Sequence, residues 1–231
     1  MKLTKNVSLI VVPLAMIAAH GVFAQENELG WTMERAVKQL DRQGQGFETV
    51  LAEANIEWKD KDGMVDRTVN GRIYMNDDGD VRLSAEQPTK YTMLLKRRTL
   101  YEHDPATSVV EEYSLSKHRN RLEPFVPLGF STTGKDLSKD FLVTFIGEQE
   151  ISGRRTLGLE LTPKKDSTRA VVARIELWVD QASWLPARQI ITESAGGKSM
   201  TVTYAGTARN LALNPDLFKD DWPRGTEKVR K

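Results

Sequence analysis

The sequence predicts an α+β protein dominated by one strongly curved antiparallel sheet of about eleven strands, and three observations carry that prediction. Apolar residues recur at helical spacing in only one stretch near the N-terminus, while about eleven later segments alternate with period two between short polar turns. The single break in that alternation, from Leu115 to Asp140, is apolar and rich in Pro and Gly. Nothing alternates strand with helix in the manner of a parallel sheet.

The first residues read as an export signal and come before any of these elements. Lys2 and Lys5 precede an apolar run from Val7 to Ala19, and Val22-Phe23-Ala24 places small residues where a peptidase would cut, so cleavage is expected after Ala24. Residues 1–24 are assigned to the signal and 25–231 to one domain. The run is short for a bilayer and is interrupted by Pro13 and His20, which favours a cleaved signal over a retained anchor.

From Trp31 to Leu40, Met33, Ala36, Val37 and Leu40 form one face and Glu34, Arg35, Lys38 and Gln39 the other, with Thr32 as N-cap and Gly44 and Gly46 as stops. A strand follows in which Val50, Ala52, Ala54, Ile56 and Trp58 share a buried face. Lys59 to Gly63 turns the chain into a second strand from about Val65 to Met75, and Asn76 to Gly79 turns it again. Strands are expected at 80–86, 91–95, 99–103 and 109–113. After the interruption, read as a short helix and an apolar loop, they resume at 141–149, 154–162, 172–180, 185–193 and 198–207.

Composition excludes several function classes. Lys and Arg total 33 against 32 Asp and Glu; loss of Lys2 and Lys5 leaves a net charge of about −1, with no basic excess to hold a nucleic acid. The chain has no Cys, so it folds without disulfides and lacks the residue that carries the lipid of a bacterial lipoprotein. With the signal removed, only His103 and His118 remain, at no metal-ligand spacing, and both are expected as solvated polar positions. No G-x-S-x-G elbow or phosphate-cradling glycine loop is present, and Asp77-Asp78-Gly79-Asp80 reads as a hairpin turn, not a calcium loop. The reading is a non-enzyme without metal or cofactor.

What remains is geometric. A curved sheet of this size encloses more apolar surface than one helix and one insertion fill, so a cavity is expected beneath Pro124 to Phe130. Its candidate lining is Ile56, Trp58, Ile73, Met75, Leu83, Met93, Leu95, Leu159, Leu161, Ile175, Leu177 and Val179. Leu122, Phe125, Val126, Leu128 and Phe130 are the candidate cover, as a fixed plug or a movable lid.

Several segments resemble the periplasmic outer-membrane lipoprotein-sorting (LolA-like) family: Leu122 to Phe130, Gly134-Lys135-Asp136-Leu137, Val143 to Gly147, Leu159 to Lys164, Ile175 to Asp180, Leu185-Pro186, and the tail Asn214 to Phe218 with Trp222 to Thr226. The resemblance implies a half-open barrel of eleven antiparallel strands with helices as a lid over an apolar cavity. It implies a soluble, monomeric periplasmic chaperone that binds the acyl chains of lipoproteins. Such a carrier receives them from an inner-membrane release complex and passes them to an outer-membrane acceptor. Relatives implied by the same resemblance carry another envelope lipid beside an inner-membrane exporter, or sense lipid or lipoprotein in envelope stress. The Arg-Pro pair with which the family holds its lid has no counterpart in Tyr74-Met75-Asn76-Asp77-Asp78, so no latching residue is transferred.

Overall fold

The computed structural model describes residues 30–118 and 121–231, and the expected signal segment lies outside them. Helix α1 (Met33–Gly44) begins where the sequence places it: the Thr32 hydroxyl accepts the Arg35 N–H at 3.3 Å, and Ala36 and Leu40 are buried. Strands β1 (Thr49–Lys59), β2 (Val65–Asn76), β3 (Val81–Gln87), β4 (Tyr91–Lys96), β5 (Thr99–Asp104) and β6 (Val109–Ser114) follow as a meander. The interruption holds a 3-10 turn (Glu123–Phe125) and helix α2 (Gly134–Asp140), tied to α1 where Lys135 N–H donates to Asp41 Oδ1 at 2.6 Å. Then come β7 (Phe141–Ile151), β8 (Arg154–Pro163), helix α3 (Asp166–Arg169), β9 (Val172–Asp180), β10 (Pro186–Glu193), β11 (Ser199–Arg209) and β12 (Glu227–Arg230).

All twelve strands form one open, curved sheet in the order β12-β6-β5-β4-β3-β2-β1-β11-β10-β9-β8-β7. The antiparallel sheet of about eleven strands is therefore present, with one addition: β12 pairs parallel with β6, from Glu227 opposite Val109 to Arg230 opposite Glu112. Four residues dominated by charge carry too little alternation to be read as a strand, and their place is set by the tail that delivers them. The sheet ends in two unpaired edges, β12 and β7, so it does not close on itself. Register shifts help to bend it, as between Asn70 and Gly71, where a side chain on Gly71 would run into the Ser84 carbonyl of the next strand.

The two faces divide by period. Val50, Ala52, Ala54 and Ile56 of β1 face the concave side, as do Leu157, Leu159 and Leu161 of β8, and these join one apolar cluster that spans the sheet. Leu94 and Val110 lie on the opposite face, yet both are 0% exposed. The C-terminal tail covers that region: Phe218 is buried, Lys96 Nζ donates to its carbonyl at 2.5 Å, Arg82 donates to the Leu217 carbonyl at 3.0 Å, and Trp222 stacks near Tyr101 and His103. Among the described residues no helix is long and apolar enough to cross a membrane.

Candidate functional site

Eleven of the twelve lining candidates are buried in the concave cluster, and Trp58 packs at its margin half-buried. Of the cover, Val126 and Phe130 are 2% and 1% exposed inside the same cluster, while Leu122, Phe125 and Leu128 lie partly buried against it. The structure thus brings the two predicted sets into one body. Open space lies beside Pro124 and Phe125, where a pocket of about 470 Å³ borders the insertion, and not on the deepest wall residues. Leu159, Leu161, Ile175 and Leu177 are 0% exposed, because the insertion itself occupies the concavity and leaves no water-sized gap on them. Gly129, at φ +86°, lies so close to Leu177 Cδ1 and Pro186 Cγ that a Cβ would stand 2.9 Å from both.

The insertion is seated by polar groups that the apolar reading missed. Gln189 points inward in phase with Ala187 and Ile191, and Tyr204 in phase with Met200 and Val202. Gln189 Nε2 donates to the Leu128 carbonyl at 2.5 Å, the Tyr204 hydroxyl donates to Gln189 Oε1 at 2.6 Å, and the Phe130 ring meets the Tyr204 ring edge-on at 4.9 Å. An irregular segment buried on a sheet must have its carbonyls satisfied, and this pair satisfies that of Leu128 from within the barrel wall. The only signal in the sequence is a polar residue at an inward period-two position.

A second tie lies at the start of the insertion. Arg121 forms ion pairs with Glu102 of β5 and, at 3.3 Å, with Glu123, and its guanidinium lies 4.6 Å over the Tyr113 ring. Tyr91 donates to Glu102 at 2.7 Å, and Arg67 stacks over both Tyr91 and Trp58. Burial lowers the tendency of Arg121 to hold its proton, but Glu123 and Glu102 outweigh it and the net shift is upward, so the guanidinium stays charged. Glu123 is 9% exposed; burial pushes its carboxyl above the ordinary 4.5 despite the opposing pull of Arg121. Arg121 thus ties the start of the insertion to β5 as a latch of ion pairs.

Among the described residues, one pocket lies on the outer face and another at the margin of the concave core. The first, of about 380 Å³, is lined largely by polar side chains, among them Glu53, Asn55, Arg72 and Glu86. The other, of about 470 Å³, lies beside the insertion between Arg98, Leu115 and Val171. The histidines are a further correction. His103 is not solvated but 5% exposed beneath Trp222, at 5.1 Å between rings, and burial lowers its pKa below 6.5. His118 is half-buried, edge-on to Tyr113 at 5.4 Å. The tail that covers His103 is remote in sequence, which is why a strand-end histidine read as exposed.

The chain is similar to several solved structures at low sequence identity. No curated protein matches the sequence. Among solved structures, an uncharacterized conserved protein from Thermus thermophilus shares 11% identity and superposes with a TM-score of 0.52 over 86% of this chain and 99% of that one. A putative outer membrane lipoprotein-sorting protein domain from Vibrio parahaemolyticus is 15% identical (TM-score 0.44; 80% of this chain, 95% of that one). The Mycobacterium tuberculosis lipoprotein LppX is 14% identical (TM-score 0.46; 79% and 97%). The profile described as "Outer membrane lipoprotein carrier protein LolA" matches residues 46–221, which is most of the chain and includes the sheet and the insertion. The chain belongs to the LolA family of outer membrane lipoprotein carrier proteins.

Proposed function

We propose that this protein is a soluble periplasmic carrier that shields the acyl chains of lipoproteins on the concave face of its sheet and moves them from inner to outer membrane. Membership of the family supports the reading, and one observation carries it: the concave apolar face is covered not by strands but by an irregular stretch of chain, 121–130, seated by Val126 and Phe130 and by the side-chain ties of Gln189 and Arg121. A face covered in this way is open to an alkyl chain once the ties release.

Magnitudes favour the exchange. Seating Val126 and Phe130 contributes on the order of 2 kcal/mol each, and an alkyl chain gains about 0.8 kcal/mol per methylene, so roughly five methylenes match them. A full acyl chain outcompetes the insertion. The insertion's own burial then keeps the empty protein closed and weakens the complex enough for delivery. The partners on this reading are an acylated lipoprotein, an inner-membrane release complex and an outer-membrane acceptor, with the candidate lining and cover residues as the binding surface.

Native mass spectrometry of protein purified from periplasm tests it. Acyl-bearing adducts or a co-purifying lipoprotein are expected, together with uptake of a fluorescent fatty acid. A clean unliganded mass with no uptake overturns the reading.

A further inference from the structure

The second pocket has the polarity of one kind of ligand. Because the sheet ends in unpaired edges, its two arms face each other without hydrogen bonds between them, and the pocket of about 470 Å³ lies there beside the insertion. One arm supplies Arg98 from the β4–β5 turn and Leu115 after β6; the other supplies Val171 and the hydroxyl-bearing Ser167 and Thr168. The insertion supplies Arg121 and Phe125.

Its floor is apolar and continuous with the interior, since Leu115, Phe125 and Val171 all pack against the concave cluster. Its rim carries two guanidinium groups, Arg98 and Arg121, beside the His118 ring, and among the described residues no Asp or Glu lines it. Glu102 and Glu123 hold Arg121, and Asp166 pairs with Arg169. Arg98 is exposed and makes no ion pair among the described residues.

The backbone at Arg98 is an independent sign. Arg97 and Arg98 form a two-residue hairpin turn with φ of +47° and +67°, the left-handed geometry that Asn-Gly adopts at least cost. Arginine adopts this geometry at more cost than Asn or Gly, and residues held in sparsely populated backbone regions cluster at functional sites.

We propose that this pocket binds the anionic head, carboxylate or phosphate, of an amphiphile, with Arg98 as the principal charge and the alkyl chain directed over Leu115 and Phe125 into the interior. The proposal rests on the carrier reading and names the class of ligand. The volume falls in the range of small-molecule sites, enough for a head and the first part of a chain, so the remainder requires displacement of the insertion. Arg121 belongs to both the pocket and the latch. An anion that draws it from Glu102 loosens the cover at the moment of loading.

The test uses the full chain after delipidation. It is titrated with a fluorescent undecanoic acid and with the matching uncharged alcohol, and each is competed with undecanoic acid and with undecyl phosphate, for wild type and Arg98→Asn. Asn suits the turn, so the variant should melt no lower than wild type. Roughly tenfold tighter binding of the acid than the alcohol is expected, lost in Arg98→Asn with alcohol binding unchanged. Stronger competition by undecyl phosphate than by undecanoic acid identifies phosphate as the preferred head, and the reverse identifies carboxylate. Equal binding of acid and alcohol, indifferent to Arg98→Asn, overturns the head subsite and leaves the carrier reading standing. Binding of neither probe overturns both.

Discussion

Tyr204 and Gln189 form a polar pair inside an otherwise apolar wall, with the Tyr204 hydroxyl 2.6 Å from Gln189 Oε1, and Gln189 passes the connection on to the Leu128 carbonyl. The pair is fully buried. Its hydroxyl proton is held firmly, since burial raises the Tyr204 pKa well above 10.0. Removal of one partner leaves a buried acceptor without its donor, which costs about 1–3 kcal/mol.

Tyr204→Phe therefore should lower stability by about 1–3 kcal/mol in urea unfolding, since the ring and its contact with Phe130 remain and only the donor is lost. If the pair holds the cover, the same variant should bind a fluorescent fatty acid more tightly. Reduced stability with unchanged affinity would make the pair part of a fixed plug.

Gly129 gives a second handle on the insertion. At φ +86°, and with Leu177 and Pro186 each 2.9 Å from a built Cβ, Gly129→Ala carries both backbone strain and a clash. A loss of about 2–4 kcal/mol is expected. The clash is directed between cover and wall, so limited proteolysis should cut first within 121–130, and uniform cleavage across the chain would contradict this.

The legibility of these features follows from their physics. Strands β1 to β11 were readable because one face of each is buried by its own sheet, so the signal lies within about ten neighbouring residues. β12 and the burial of His103 were not, because both depend on a tail more than a hundred residues from the strands it covers. The apolar lining and cover were legible as a set from the inward phase. The filling of the concavity was not, since it depends on the fit of Val126 and Phe130 against Leu177 and its neighbours and not on residue type. Arg121, Glu102, Gln189 and Tyr204 were passed over because a search for apolar positions discards the polar groups that an irregular buried segment requires.

Glu123 predicts a pH dependence. Burial raises its pKa above 4.5, so between 4.5 and the raised value the folded state binds more protons than the unfolded state. Stability on this account falls as pH rises through that window. Glu123→Gln removes the buried charge and leaves the Arg121 pair with Glu102 in place. The variant should melt about 2–5 °C higher near pH 7 and lose the downward slope above pH 4.5. A lower melting temperature near neutrality would mean that the pair with Arg121 outweighs the burial of Glu123.

His103 predicts the opposite sign on the other face of the sheet. Burial beneath Trp222 lowers its pKa below 6.5, Arg82 adds to the effect, and Asp104 opposes it. As pH falls below 6.5, the unfolded chain takes up a proton that the folded imidazole resists, so stability falls toward acid and is fully present above 6.5. In wild type the His103 ring resonances should titrate with a midpoint below 6.5. Trp222→Ala opens the cover, costs about 1–3 kcal/mol because the indole is only half-buried, and should move that midpoint up toward 6.5. Lipid uptake should be unaffected, because the tail lies on the face opposite the insertion. An unchanged midpoint in Trp222→Ala would show that the strand alone shields His103, and a parallel loss of lipid uptake would show that the tail and the concave face are coupled through the sheet.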